Sequence, residues 1–506
     1  MGGEGAKATA SMKPIAASAF GPSQARRLMW RAGFGGTPAQ AQVLAEWGPE
    51  QSVDTLLNVE EALVYPAPKA DDFDGSIMGG DVRAQRRAEA QARRAQDEDE
   101  LARLRRQREE RERNDRRQIR EMQRWWLTRM IETSRPFEEK MALFWHGHFA
   151  TSYRTIENSY HMFLQNEMFR RQAAGSYAQL LDAIIRDPAM LAYLDNNDSR
   201  KEKPNENLAR ELMELFSLGE GNYSEKDIKE GARSLTGYTF EGNEFAFRAE
   251  RHDDGVKSIL GRTGRLKGED FVVAILARPA CSEFIAFKLY RFFIGDLPPT
   301  GSPMRQPVIS YIRNMAATLR SGKYALRPML RKMLLSEHFY DTARAPARVK
   351  SPAELVVGAM RSLRTPARDL NVLTDAMDLM GQNLFFPPSV KGWDGGRSWI
   401  NTSTLFVRMN IANFLLTGRL PRGYDAMAGE ERYDAAPILE GVNSRTRKDP
   451  DLLAAHILDC ALCVEVSAEK REALAVFIRS RGQNDLATTV GESLSLVAAM
   501  PEYQLC

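Results

Sequence analysis

Two of the six histidines in this chain of 506 residues, His146 and His148, stand in the run Phe-Trp-His-Gly-His-Phe at positions 144–149. Two imidazoles this close are a start on a divalent transition-metal centre of Zn, Fe or Mn, which would still need one or two carboxylates or a third nitrogen. On a continuing helix, side chains two positions apart diverge by about 200° and cannot share an ion, whereas extended backbone points them the same way. Gly147 offers a helix end or turn that would bring them together. The competing use of the same residues is a helix terminus whose imidazoles hydrogen-bond in an aromatic pocket of Phe144, Trp145 and Phe149.

The carboxylates such a centre would need are grouped in residues 205–214, where Glu206, Glu211 and Glu214 accompany Asn205, Asn207 and Arg210. At about 100° per residue, Glu206, Asn207, Arg210 and Glu214 share one stripe of a helix, with Glu211 at its margin and Leu208, Leu212 and Leu215 opposite. A solvated face usually carries Lys. This one carries Asn, Glu and a single Arg, which fits a buried ion-pair network or a ligand site. In a metal-dependent enzyme one of these acids would be third ligand or general base, and Arg210 would hold an anionic group of the substrate. Buried charges persist only when paired or liganded, so the histidines and these acids are expected to converge. The preceding Asp195-Asn196-Asn197-Asp198 adds oxygen ligands, but at a spacing unlike an EF-hand.

A third group, Trp393, Arg397 and Trp399, lies in the glycine-rich run 391–399 after Pro387-Pro388. Tandem aromatics separated by glycines can form a stacking platform for a sugar or peptide. They can equally pin a long loop to the core. His456, Cys460 and Cys463 supply three of the four ligands a structural zinc would need, or else two buried thiols. There is no G-x-S-x-G, no Walker A and no G-x-G-x-x-G opening a βαβ unit.

Elements must position these groups, and 43% hydrophobic residues are enough for one large core or two ordinary ones. Four cysteines cannot make a disulfide scaffold, and 70 Lys+Arg against 67 Asp+Glu is too even for a dedicated nucleic-acid binder. No stretch reaches the roughly eighteen apolar residues of a transmembrane span. The N-terminus shows no signal-peptide core, so a cytoplasmic location is expected, with a periplasmic one as the alternative. The charge is local: residues 81–120 hold 14 Arg against 10 acids, a net +4, which leaves −1 elsewhere from the total of +3.

That segment reads as one unbroken helix over residues 81–130, too poor in large apolar residues for a coiled coil and supported by pairs such as Glu112/Arg116. It is expected to project roughly 60 Å and to re-enter the fold at Trp125-Trp126. Residues 59–80, with scattered Pro and Gly, read as a loop. Thr37-Pro38 starts a helix that stops near Gly48, and Ser224-x-x-Asp227 starts one that stops at Gly237. Apolar-periodic segments follow at 136–146, 153–173, 176–194, 204–218, 224–236, 268–294, 304–337, 350–380, 402–417 and 450–500, with a short hairpin within 238–257. The expected class is all-α, a mainly helical multi-helix array with a minor β-hairpin and one long charged helix projecting from the core. Its organisation is N-terminal helices over 1–58, a loop and charged-helix insertion over 59–124, and the main helical domain over 125–506.

Four stretches together resemble the bacterial family catalogued as domain of unknown function 1800: residues 24–35 (QARRLMWRAGFG), 140–152 (KMALFWHGHFATS), 205–238 and 385–410 (FFPPSVKGWDGGRSWINTSTLFVRMN). The resemblance runs from about residue 20 to the C-terminal residue, interrupted by 59–124. It implies no activity, because the family has none established. Family members are often exported and encoded beside a protein resembling the sulfatase and alkaline-phosphatase superfamily, which implies a paired role. This chain departs from the pattern in lacking a visible signal and in having Gly147 where a larger polar residue is more usual. Two readings follow: a metal-dependent enzyme, hydrolase or oxidoreductase, or a non-catalytic binding or assembly protein working with a sulfatase-like partner.

Overall fold

Many helices in this chain start at a capping side chain, and others, the helix Pro136–His148 among them, start at a proline with no side-chain cap. The structure, a computed structural model, describes residues 12–58, 73–79, 82–297, 304, 306–342, 347–366, 368–418, 433–481 and 485–506. Among these are 24 α-helices and two separate two-stranded antiparallel hairpins, with 66% of the chain helical. The class is therefore all-α with minor β. No helix among the described residues is long and apolar enough to cross a membrane. The start of the chain and most of the expected 59–80 loop lie outside the described residues.

The two start signals act as read: Thr37 accepts from Gln40 N and Ser224 from Asp227 N, each in a reciprocal capping box. The first of these helices stops at Gly48 as expected, where φ is +76° and ψ 175°, and Pro49 starts a second helical run to Leu57 within Pro38–Leu57. Several long periodic segments are divided. Pro188 and Pro279 each begin a new helix, their preceding residues Asp187 and Arg278 being extended. Lys323 and Tyr324 take positive φ between the helices Gln306–Ser321 and Leu326–Leu335. The expected hairpin is Tyr238–Glu241 paired with Glu244–Phe247, with Phe240 opposite Phe245, and a second follows at Lys257–Ile259 and Arg262–Gly264.

The charged segment differs from expectation in two ways. It is two helices, Val82–Ala95 and Glu98–Glu132, separated at Gln96, whose φ is +54°. Asp97 caps the second and three acids occupy its first turn, favourable at the positive end of the helix dipole. Re-entry begins at Asp115, ten residues before Trp125, because Asp115 is buried and accepts from Tyr153 Oη (2.7 Å), Ser159 N (2.9 Å) and Ser159 Oγ (2.6 Å). Gln118, Ile119 and Met122 are buried behind it. A charged residue in a charged run hid this contact. Asp115→Ala is expected to lower the free energy of unfolding by about 1 to 3 kcal/mol, whereas Glu112→Ala, removing an exposed pair with Arg108, is expected to change it by less than about 0.5 kcal/mol. Urea unfolding of the two variants side by side checks the boundary.

The buried apolar residues form two clusters. One joins the N-terminal helices to residues 137–340, and the other joins the end of the long helix to residues 353–503. The helix Pro136–His148 serves both: Phe137, Met141, Phe144 and Trp145 enter the first cluster, Ala142 and Leu143 the second. Its charged residues are buried with it. Glu139 accepts from Trp126 Nε1 (3.0 Å) and from Arg170 Nε (2.7 Å) and also meets Arg129. Lys140 donates to the Gly33 carbonyl (2.7 Å) and pairs with Glu354, which accepts in turn from Arg348 Nη1 (2.8 Å) and Ser351 N (2.8 Å). The resemblance-carrying stretches 24–35 and 140–152 are thus joined by the Lys140 ammonium.

Candidate functional site

The helix Pro136–His148 stays helical through Gly147, so its two histidines point into different surroundings. His146 is fully buried among Trp126 (ring centroids 5.4 Å apart), Phe385 (5.5 Å), Trp393 (5.6 Å) and Phe169 (6.4 Å). His148 lies against Phe149 (4.5 Å), Phe144 (5.8 Å), Phe216 (6.2 Å) and Phe284 (6.2 Å). The expected shared ion does not fit this backbone, which separates the two imidazoles instead of aligning them. Among the described residues no group of three or more His, Cys, Asp or Glu side chains is placed to hold a metal ion.

Both imidazoles are neutral. Burial pushes His146 down to about 3. Burial also takes His148 to about 3, with the Lys288 charge adding to it against the pull of the Phe216 carbonyl. His148 donates from Nε2 to that carbonyl (2.9 Å), the same oxygen that accepts from Tyr177 Oη. The histidine and acidic stretches therefore meet, but through a backbone carbonyl rather than a carboxylate.

The acids stand to one side of that contact, at the surface. On the helix Asn207–Glu214, Leu208, Ala209, Leu212 and Met213 are buried as the periodicity requires. Glu206, Arg210, Glu211 and Glu214 are only half-buried. Arg210 pairs with Glu206 (3.3 Å) and Glu225 (3.0 Å), a surface pair and not the expected buried network. Glu214 accepts from Tyr223 Oη (2.9 Å). Burial, then the like charge of Glu214, raises the Glu211 carboxyl, while Arg210 and Lys391 of the tryptophan loop oppose them. Asn196 is structural, donating to the Leu235 and Tyr238 carbonyls.

The loop at 386–399 seats directly on the histidine helix. Gly392, at φ +78°, lies so close to Gly147 that a Cβ on it would be 2.0 Å from the Gly147 oxygen. Trp393 covers the other side of Gly147, whose own missing Cβ would meet Cε3 of the indole at 3.4 Å. Arg291 donates to the Asp394 carbonyl. Trp399 is buried and its carbonyl accepts from Thr404 Oγ1 (2.9 Å), so it pins the loop. Arg397 is exposed, and Trp393 is half-exposed. Of the expected substrate-binding trio, then, Trp399 is packing and Trp393 is the one adjoining a candidate site. The two described surface depressions lie elsewhere, lined by residues such as Val442, Arg447 and Glu440.

Sequence reasoning gave no site role to Lys288, nor to Phe385 beyond its place at the head of the stretch 385–410. Phe385 holds φ +66° while touching His146 and Trp126, a strained conformation for a residue with a Cβ. Lys288, whose ammonium lies 5.2 Å from the Phe284 ring, is lowered by burial and by Arg291 to about 8. Nothing in the local pattern distinguishes either from ordinary helix and loop residues.

A chain of buried polar groups runs away from the site. Thr151 donates to Gln165 Oε1 (2.6 Å), and Gln165 donates to Asp187 Oδ2 (2.6 Å), which also caps Met190 N. Burial raises the Asp187 carboxyl to about 7 against these hydrogen bonds. A carboxyl whose folded value lies above its unfolded one binds more protons when folded, so its ionisation destabilises the protein as pH rises from about 4 to 7. Asp187→Asn is expected to raise the thermal midpoint by several degrees at pH 8 and leave it nearly unchanged at pH 4. Scanning calorimetry at both pH values measures it; an equal effect at both would mean that the carboxyl is already ionised in the folded protein at pH 4.

The chain belongs to the family described as Protein of unknown function (DUF1800), which matches residues 27–505, nearly its whole length. No curated protein and no solved structure matches it.

Proposed function

We propose that this chain is a non-catalytic binding and assembly protein, with its partner surface on the helix Thr402–Thr417 that follows the tryptophan loop. The observation that carries the reading is an apolar face left open to solvent: Phe406 is 67% exposed, Met409 44% and Leu405 38%. The opposite side of the same helix buries Ile411, Leu415 and Arg408. Positions 405 and 409 are separated by about 40° around the helix and 406 adjoins them, so the three make one patch of the residue types enriched at interfaces. It begins five residues after Ile400, on a helix whose Thr404 and Arg408 side chains bond the carbonyl of the buried Trp399, and so stands on a rigid base. A sulfatase- or alkaline-phosphatase-like protein, the companion implied by the family resemblance, is the proposed partner.

The metal-dependent alternative has less to support it, since His146 and His148 diverge and the acids of residues 206–214 lie at the surface. Sedimentation velocity of the chain mixed with the purified sulfatase-like protein from the same cell tests the proposal. Association is expected, weakened about tenfold or more by Phe406→Asp. No association, or equal association by the variant, refutes it. Elemental analysis covers the alternative: one equivalent of Zn, Fe or Mn, lost from His146→Ala/His148→Ala protein, would put the enzyme reading in its place.

A further inference from the structure

Lys288 carries a positive charge that its surroundings leave unbalanced. It stands on the helix Pro279–Phe293, half-buried, with its ammonium 5.2 Å from the centre of the Phe284 ring. Among the described residues no carboxylate lies within 4 Å of that ammonium, and no acceptor takes a hydrogen bond from it. Arg291, three residues further on and so on the same side of the helix, acts on it as a like charge. The guanidinium is itself held, donating to the Asp394 carbonyl. His148, near enough to feel the Lys288 charge, is neutral and offers no counter-charge. The ammonium is nevertheless not sealed from solvent. A cation kept in such a place gives up its proton more easily, and burial, then Arg291, lower Lys288 to about 8.

We infer that Lys288 is a carbamylation site, its amine adding carbon dioxide to give a carbamate that pairs with Arg291. The nitrogen lone pair forms the new N–C bond as one C=O π bond opens onto oxygen, and a nitrogen proton leaves to water. The step needs no oxidant and has no leaving group. At pH 8 about half of Lys288 is the free amine, against less than about 1% of an ordinary lysine. Half-buried beside the Phe284 ring, that amine admits a small, uncharged, apolar electrophile more readily than a bulky or ionic one. Arg291, a like charge before the reaction, becomes a partner after it, since its planar fork suits the carboxylate-like product. Two cations three residues apart are thereby converted into an ion pair. The site is independent of the Phe406 face, and either can fail alone.

The full chain is equilibrated at pH 8 with bicarbonate and carbon dioxide labelled with carbon-13, treated with triethyloxonium ion to fix any carbamate as its ethyl ester, and mapped by peptide mass spectrometry. Lys288 is expected to carry the label about tenfold or more above the exposed Lys13, Lys226 and Lys391. At constant carbon dioxide pressure its label is expected to fall as the pH is lowered below about 8, where the amine becomes protonated. Arg291→Gln is expected to reduce it about threefold or more, and Arg291→Lys to restore most of it. Bicarbonate is expected to raise the thermal midpoint of wild type and not that of Lys288→Arg, which cannot form the carbamate. Labelling of Lys288 no stronger than that of the exposed lysines overturns the inference. So does full labelling in folded Arg291→Gln, or, should that variant not fold, an equal effect of bicarbonate on the midpoints of wild type and Lys288→Arg.

Discussion

Replacing Glu354 by alanine is expected to lower the free energy of unfolding by about 3 to 5 kcal/mol, the range for leaving a buried charge without its partner. The carboxylate is 1% exposed and lies between Lys140, fully buried, and Arg348, 7% exposed. Burial pushes its carboxyl up, but the Arg348 and Lys140 charges outweigh that and hold it well below the usual range. Burial in turn lowers the Lys140 ammonium, against the pull of Glu354. With the folded value depressed, the contribution is complete above the ordinary glutamate value of about 4.3 and fades as the pH falls below it. Glu354→Gln should therefore close part of its stability gap from wild type by pH 3, the rest closing only as the pH falls through the depressed folded value. Urea midpoints at pH 7 and pH 3 measure both; a variant equally destabilised at the two would show that shape and not charge is at stake.

Lys140 and Glu354 show what a sequence conceals. Each sits in a stretch with a legible local role, Lys140 in an apolar helix and Glu354 as the reciprocal partner in the Ser351 capping box. Nothing local says that 214 positions of separation close to a contact. Periodicity and caps are short-range signals, so they placed the helices and their class well and left the pairing of helices unstated. The same holds at the candidate site. The three stretches carrying His148, Phe216 and Trp393 were recognisable, and they do come together. The chemistry expected of them depended on Gly147 ending the helix, which instead runs one residue further, to His148: a glycine near a helix terminus is compatible with either outcome, and here its missing side chain makes room for an indole. Asp115 was lost for the opposite reason, being one acid in a run of charges whose other members are solvated.

Gly392→Ala is expected to cost roughly 2 to 6 kcal/mol, from a strained left-handed backbone and from overpacking against a fixed carbonyl. The new Cβ would lie 2.0 Å from the Gly147 oxygen, and that oxygen belongs to helical backbone that cannot swing aside. The loop would have to lift, withdrawing Trp393 from His146. Gly147→Ala is the matched control: its Cβ would rest at 3.4 Å from the indole, ordinary contact, and alanine favours a helix by about 1 kcal/mol. Thermal unfolding together with near-ultraviolet circular dichroism of the tryptophans separates the two. If Gly392→Ala keeps the native dichroism and midpoint, the loop is not held against the helix as described.

The helix Pro136–His148, shared between two apolar clusters, also governs the order in which the chain can be completed as it leaves the ribosome. The first cluster closes with residues up to Tyr340, but the second draws on residues as late as Tyr503. Until those are made, Ala142, Leu143 and His146 line a half-built wall, and the side of Trp126 that Phe385 covers stays open. A nascent chain stopped between the two stages would offer a chaperone an apolar surface that the finished protein never shows. Once the last helices dock, the two halves have a common strut, and neither can open without disturbing the other. Amide hydrogens in the middle of that helix should accordingly be among the slowest in the protein to exchange, with the two halves losing protection together.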